Sequence, residues 1–143
     1  MSIRSAWVAD CSSIKNLLDQ LGYDCPVEII KERLEKLFES DCDDVFVYTD
    51  NRKVEGFITL HYSKQLAFDG DFCEIGYLVV DKSVRGKGIG RILEEYACKT
   101  AKEKGCSALN VFSREFRTDA HRFYERQGYH EERKFFSKEI KPI

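Results

Sequence analysis

The stretch from Phe72 to Phe112 constrains the fold of this chain most. A long apolar run, Phe72 to Val80, leads to the glycine loop Arg85-Gly86-Lys87-Gly88-Ile89-Gly90. Apolar residues then recur at helical spacing (Ile89, Ile92, Leu93, Tyr96, Ala97, Ala101) until Gly105, and a second short apolar run spans Ala108 to Phe112. Strand, loop, helix, strand in that order is a crossover connection, so the two strands should lie parallel in one sheet. The near-continuous apolar character of the first strand suits a position covered on both faces.

The preceding half reads differently. Residues 2–8 suggest a strand. Asp10 or Ser12 can cap a helix carrying Ile14, Leu17, Leu18 and Leu21, which Gly22 ends. Pro26 suits the first turn of a second helix, with Ile30, Leu34, Leu37 and Phe38 on one face. Residues 45–50 and 54–62 read as two strands of a hairpin, joined by the turn Asp50-Asn51-Arg52-Lys53. After the crossover unit, residues 118–127 read as a helix stopped by Gly128, and Tyr129 to Ile140 as one or two final strands. The expected fold class is therefore α/β, with a mixed, mostly antiparallel sheet and helices on both faces. The 143 residues suffice for one hydrophobic core, so a single domain over 1–143 is expected.

Composition narrows the function. The net charge is −2, with acids and bases mixed along the chain, and no basic stripe points to nucleic acid. No apolar stretch is long enough to cross a bilayer, and Met1 to Trp7 lacks the apolar run of a signal peptide. A cytoplasmic protein without membrane contact is expected. The six cysteines form no C-x-x-C pair, and the nearest two, Cys98 and Cys106, are eight positions apart. Free thiols in a reducing compartment, and no metal site, are the expectation.

The loop itself suggests an anion site. Glycines let backbone approach a ligand, and a helix N-terminus offers unpaired N–H groups with partial positive charge. Such a junction suits a phosphate or pyrophosphate, with Arg85, Lys87 and Arg91 adding charge. Two common nucleotide fingerprints do not fit. A Walker loop needs Lys-Ser or Lys-Thr after its last glycine, where Arg91-Ile92 stands. A dinucleotide loop counted from Gly86 through Gly88 needs a third glycine where Arg91 stands.

The pattern Arg-x-x-Gly-x-Gly after Leu78-Val79-Val80-Asp81 resembles the pyrophosphate signature of the GNAT superfamily of N-acetyltransferases. The resemblance extends over nearly the whole chain. Ile3-Arg4-x-Ala6 with Asp10 is similar to the family's opening, Val54-x-Gly56-Phe57 to its third strand, and Ala120-x-x-Phe123-Tyr124-Glu125-x-x-Gly128-Tyr129 to its closing motif. It implies a GNAT-like fold in which the fourth and fifth strands form a splayed parallel pair that admits the pantetheine arm of acetyl-coenzyme A. Backbone groups of Leu78, Val79 and Val80 would pair with that arm. Arg85, Gly86, Lys87, Gly88, Ile89, Gly90 and Arg91 would hold the pyrophosphate. The sub-pattern of Glu74-Ile75-x-x-Leu78-Val79-Val80 with Ala120 to Tyr124 and a late Arg133-x-Phe135 resembles small-molecule acetylases such as aminoalkylphosphonate and aminoglycoside acetyltransferases.

The same resemblance implies Tyr124 as the general acid that protonates the departing thiolate. The base is open between Glu74, His61 and water. Glu74 matches a glutamate of several family members, and an acid in an otherwise apolar strand needs water or a partner. His61 stands on the preceding strand, and histidine side chains titrate near neutrality. Many members have an asparagine where this chain has Arg117, so that residue's role is not carried over. The first two helices, with Tyr23, Asp24, Glu28 and Arg33, would line the acceptor side; Asp69, Asp71 and Glu74 favour a cationic amine, Arg114 and Arg117 an acidic group. The expected reaction is direct acetyl transfer in a ternary complex to a primary amine, of a small molecule in the first instance. A protein or peptide amine, or a non-catalytic acyl-coenzyme A sensor, are the alternatives, and a homodimer is left open.

Overall fold

A computed structural model describes residues 2–112, 118–132 and 135–141. The chain divides into two compact units, Met1–Val111 and Phe112–Ile143. Arg114 and Arg117, and Arg133 with Lys134, lie outside the described residues.

The first unit holds a five-stranded sheet in the order β1-β2-β3-β4-β5: β1 (Ser2–Ser5), β2 (Asp43–Asp50), β3 (Lys53–Ser63), β4 (Phe72–Val80) and β5 (Ala108–Val111). The first three pairings are antiparallel, and β4 with β5 is parallel, as the crossover requires. The β2–β3 hairpin closes through Asn51 and Arg52, both with positive φ, which is the backbone of a tight hairpin turn.

Two helices, α1 (Cys11–Gln20) and α2 (Val27–Glu39), cover one face. Ile14 and Leu17, then Ile30 and Leu34, recur at the spacing that turns one helical stripe toward a sheet, and they meet Val45, Val47, Phe57 and Val79. The other face carries α3 (Ile89–Glu103), whose Ile89, Leu93, Ala97 and Ala101 pack on Ile58, Leu60, Cys73 and Ile75. Burying each such Leu or Ile contributes about 1.5–3 kcal/mol, so both layers are held mainly by these stripes. Phe38, expected on the buried face of α2, is exposed. It sits one turn beyond the buried Leu34, in the last turn of the helix.

The first strand is shorter than the 2–8 read from the sequence. Ala6 still donates to the Val45 carbonyl at 2.9 Å, but the Trp7 amide turns to the Asp10 carboxylate at 2.7 Å. The chain closes there into a 3-10 turn, Val8–Asp10. Arg4 grips the same carboxylate at 2.8 and 3.0 Å and stacks on the Trp7 ring at 3.6 Å. Burial pushes the Asp10 carboxyl up, but the bonds from Arg4 and Trp7 outweigh it and hold it below the ordinary range.

The second unit contains α4 (Thr118–Arg126), followed by Gly128 at φ +95°. The final strands expected over 129–140 are absent from its described residues. Phe135, Phe136 and Ile140 are exposed there, so no buried apolar face holds an extended segment.

Candidate active site

The site begins at a break in the sheet. β4 pairs with β5 from Phe72–Ala108 to Ile75–Val111, and the parallel ladder stops at that point. On its other edge, β4 pairs with β3, but Thr59 faces Tyr77 while Leu60 faces Ile75. Gly76 is therefore an extra residue, a bulge with no partner on β3. A Cβ on Gly76 would lie 2.7 Å from Thr59 Oγ1, so any larger residue would have to displace that hydroxyl. The bulge also inverts the side-chain alternation. Before it, Cys73 and Ile75 face α3; after it, Val79 faces α1 and α2. Beyond Ile75 the β5-side edge of β4 has no strand partner among the described residues.

The open edge runs into the glycine loop. Asp81 accepts from the Ser83 amide and hydroxyl, both at 3.0 Å, and the amide bond leads in holding its carboxyl below the ordinary range. Gln20, the last residue of α1, accepts from the Lys82 amide at 2.9 Å and donates to Asp81 at 3.4 Å. Helix α1 thus fixes the entry to the loop, a role for Gln20 that sequence reasoning missed. Gly86 and Gly88 both have φ above +80°, and Gly88 is the N-cap of α3. That cap has no side-chain hydrogen bond, and the first turn carries no acidic residue. The helix's first backbone bond runs from Ile92 to Gly88, so the preceding amides face outward for an anion. Of the three cations, Arg85 donates to the Val80 carbonyl at 3.2 Å, Arg91 pairs with Glu95 at 3.0 Å, and Lys87 is exposed.

The two candidate bases meet on the sheet. His61 and Glu74 are register partners on β3 and β4. Asp43 on β2 is the partner of His61, and Asn110 on β5 that of Glu74. Strand alternation puts this four-residue row on the face opposite α3, since Tyr62, Cys73 and Leu109, one position along, pack toward that helix. His61 Nδ1 lies 2.9 Å from Asp43 Oδ1, and the other Asp43 oxygen accepts from Ser40 at 2.7 Å. Asp43 and Asn110 were not singled out from the sequence, because only the register reveals them. Past the bulge, Tyr77 meets Tyr23 edge-on at 5.8 Å, on the side of the α1–α2 connection. Burial, with Tyr23 and Cys25 nearby, raises the Tyr77 phenol above its usual range.

Tyr124 lies on α4, in the second unit, between the rings of Phe123 at 5.3 Å and Tyr129 at 5.5 Å. Each of the six cysteines is a free thiol. Burial pushes the Cys73 thiol up to about 12, so it is protonated and inert near neutrality. No helix among the described residues is long and apolar enough to cross a membrane.

The chain is 36% identical over 90 residues to the aminoalkylphosphonate N-acetyltransferase of Salmonella typhimurium, a match spanning 63% of this chain and 58% of that enzyme. It is 31% identical over 140 residues to an uncharacterised N-acetyltransferase of Chlorobaculum tepidum, covering 96% of this chain and 81% of that one. The crystal structure of a transcriptional regulator from Bacillus halodurans C-125 shares the fold, with a TM-score of 0.89 at 21% identity over 97% of this chain and 99% of that one. Residues 13–129 match the acetyltransferase (GNAT) family, and this chain belongs to it, as a GNAT superfamily N-acetyltransferase.

Proposed function

We propose that residues 1–143 act as one domain that takes the acetyl group of acetyl-coenzyme A and transfers it directly, in a ternary complex, to the primary amine of a small molecule. One observation carries this reading: the edge of β4 left by the β5 ladder is followed, after the 3-10 turn Lys82–Val84 and the glycine loop, by an N-terminus of α3 whose cap makes no side-chain hydrogen bond. Acetyl-coenzyme A has an amide-bearing arm ending in a pyrophosphate, and the edge and the helix terminus offer complementary groups in that order. Main-chain groups of Leu78, Val79 and Val80 hold the arm. Amides from Gly86 to Arg91, with Arg85 and Lys87, hold the pyrophosphate.

When bound, acetyl-coenzyme A supplies a thioester carbonyl open to attack by an amine. The chain must orient that carbonyl, remove a proton from the amine and protonate the leaving sulfur. Glu74, beside the last β4–β5 pair, is the residue that receives the amine's proton. Tyr124 protonates the sulfur, a role supported by the match of its motif to the family's closing segment. A small amine is favoured by the name of the Salmonella typhimurium relative, an aminoalkylphosphonate acetylase.

Release of free thiol from acetyl-coenzyme A, measured over a panel of small primary amines and lysine peptides, tests the reading. Turnover on small amines is expected. Tight binding of acetyl-coenzyme A with no turnover on any amine would make the chain a sensor, and turnover on peptides alone would make it a protein acetylase.

A further inference from the structure

We propose that Asp43, His61 and Glu74 form a proton exit, in which Asp43 is a positioning residue that fixes the His61 ring and His61 passes the amine's proton from Glu74 to solvent. The inference rests on the acetyl-transfer reading above.

The proton balance creates the need. An amine at neutral pH carries three protons as an ammonium. Its acetylation by a thioester yields an amide and a thiol, and releases one proton per turnover. Glu74 can accept that proton, but it must lose it again before the next cycle. Glu74 is only partly exposed, whereas the His61 side chain is 51% exposed. The two are direct partners in the antiparallel register, where Cβ atoms on one face stand about 4.5–5.5 Å apart.

The orientation of the imidazole follows from Asp43. An ionised carboxylate only accepts hydrogen bonds, so His61 Nδ1 at 2.9 Å must carry the hydrogen. That makes Nε2 the acceptor nitrogen of the neutral ring. Ser40 at the end of α2 donates to the second Asp43 oxygen at 2.7 Å and helps hold the carboxylate in place. Among the described residues, the titratable register partners of His61 are Asp43 on β2 and Glu74 on β4; Asp44 lies on the opposite face, where it accepts from Tyr62 at 2.7 Å. The sequence of transfers then closes. The ammonium gives its proton to the Glu74 carboxylate, the resulting carboxyl passes it through a solvent water to Nε2 of His61, and the imidazolium, held by Asp43, releases it to bulk water.

Two measurements test this, and the first needs no turnover. Nitrogen-15 NMR of neutral His61 should show the Nδ1–H tautomer in the parent. In Asp43→Asn, whose amide can donate to Nδ1, it should show the Nε2–H tautomer. An unchanged tautomer overturns the positioning role, whatever the catalytic result. The second is kcat/KM against pH for the parent, Asp43→Asn, His61→Gln and the double variant, with acetyl-coenzyme A binding measured by calorimetry. Each single variant should lower kcat/KM about 10- to 100-fold, below the full range for loss of a general base because Glu74 remains. The double variant should be no worse than the singles, with acetyl-coenzyme A affinity unchanged. Turnover at the parent rate with a superimposable pH profile in both singles overturns the exit while leaving acetyl transfer standing. A parent that binds acetyl-coenzyme A yet acetylates no amine overturns the acetyl-transfer reading, and the exit with it.

Discussion

The backbone amide of Tyr77 donates to Oγ1 of Thr59 at 2.9 Å, across the one place where the β3–β4 register slips. The bond gives the amide after the bulge a partner. It also stands where a side chain on Gly76 would have to go. The bulge and the end of the β4–β5 ladder therefore coincide within two residues, Ile75 and Gly76.

Gly76→Ala should force Thr59 to rotate and strip the Tyr77 amide of its acceptor. A lost hydrogen bond of this kind costs about 1–2 kcal/mol, visible as a lower urea midpoint. Thr59→Val removes the acceptor without the clash and should cost no more than that. Equal stability of Gly76→Ala and the parent would show that the bulge tolerates a side chain.

Gly88→Ala should act on the backbone alone. Nothing lies within 4 Å of the added Cβ, yet φ at this N-cap is +82°. An L-residue in that region costs roughly 1–2 kcal/mol. The first amides of α3 should shift with it, and calorimetry should read a weaker affinity for coenzyme A. Undiminished affinity would place the pyrophosphate elsewhere.

Acid should unfold the protein partly through Asp10 and Asp81. Both carboxyls are held below the ordinary range, so the folded state binds fewer protons than the unfolded chain, whose carboxyls titrate near about 4. Their stabilisation is complete above that pH and is lost as pH falls through the lower folded values. Asp10→Asn should lower stability at pH 7 by about 1.5–3 kcal/mol, the usual value of hydrogen bonds to a charged group. It should also flatten the acid limb of stability against pH, and chemical denaturation at stepped pH reads both effects. An acid limb as steep as the parent's would show that Asp10 titrates normally.

Tyr124→Phe keeps the ring but removes the phenolic proton. If Tyr124 protonates the leaving sulfur, turnover should fall about 100-fold, the lower bound for losing a general acid, while coenzyme A affinity holds. Turnover within a factor of two of the parent would reduce Tyr124 to a packed helix residue.

Much of the architecture was legible because it depends on local periodicity. Ile14 and Leu17, Ile30 and Leu34, and Ile89, Leu93, Ala97 and Ala101 announce three helices whose buried stripes the fold uses. The apolar run of β4, the hairpin at Asn51-Arg52 and the parallel crossover follow from the same reading. Where the sequence misled, a non-local contact decided. The strand expected to Val8 stops at Ser5 because Trp7 and Arg4 both turn to Asp10. The strands expected after Tyr129 are absent among the described residues, where Phe135, Phe136 and Ile140 are exposed.

The candidate site divides in the same way. The glycines at 86 and 88 mark a candidate anion loop in the sequence, since positive φ and an uncapped helix start are properties of a few consecutive residues. Glu74 and His61 stood in the sequence as rival bases, thirteen positions apart. Only the β3–β4 register makes them partners, and only the β2–β3 register adds Asp43. The bulge at Gly76 is likewise invisible locally, because it exists only as a mismatch between two strands. The sequence by itself determined the elements and the loop; pairing between distant strands decided which side chains share a face.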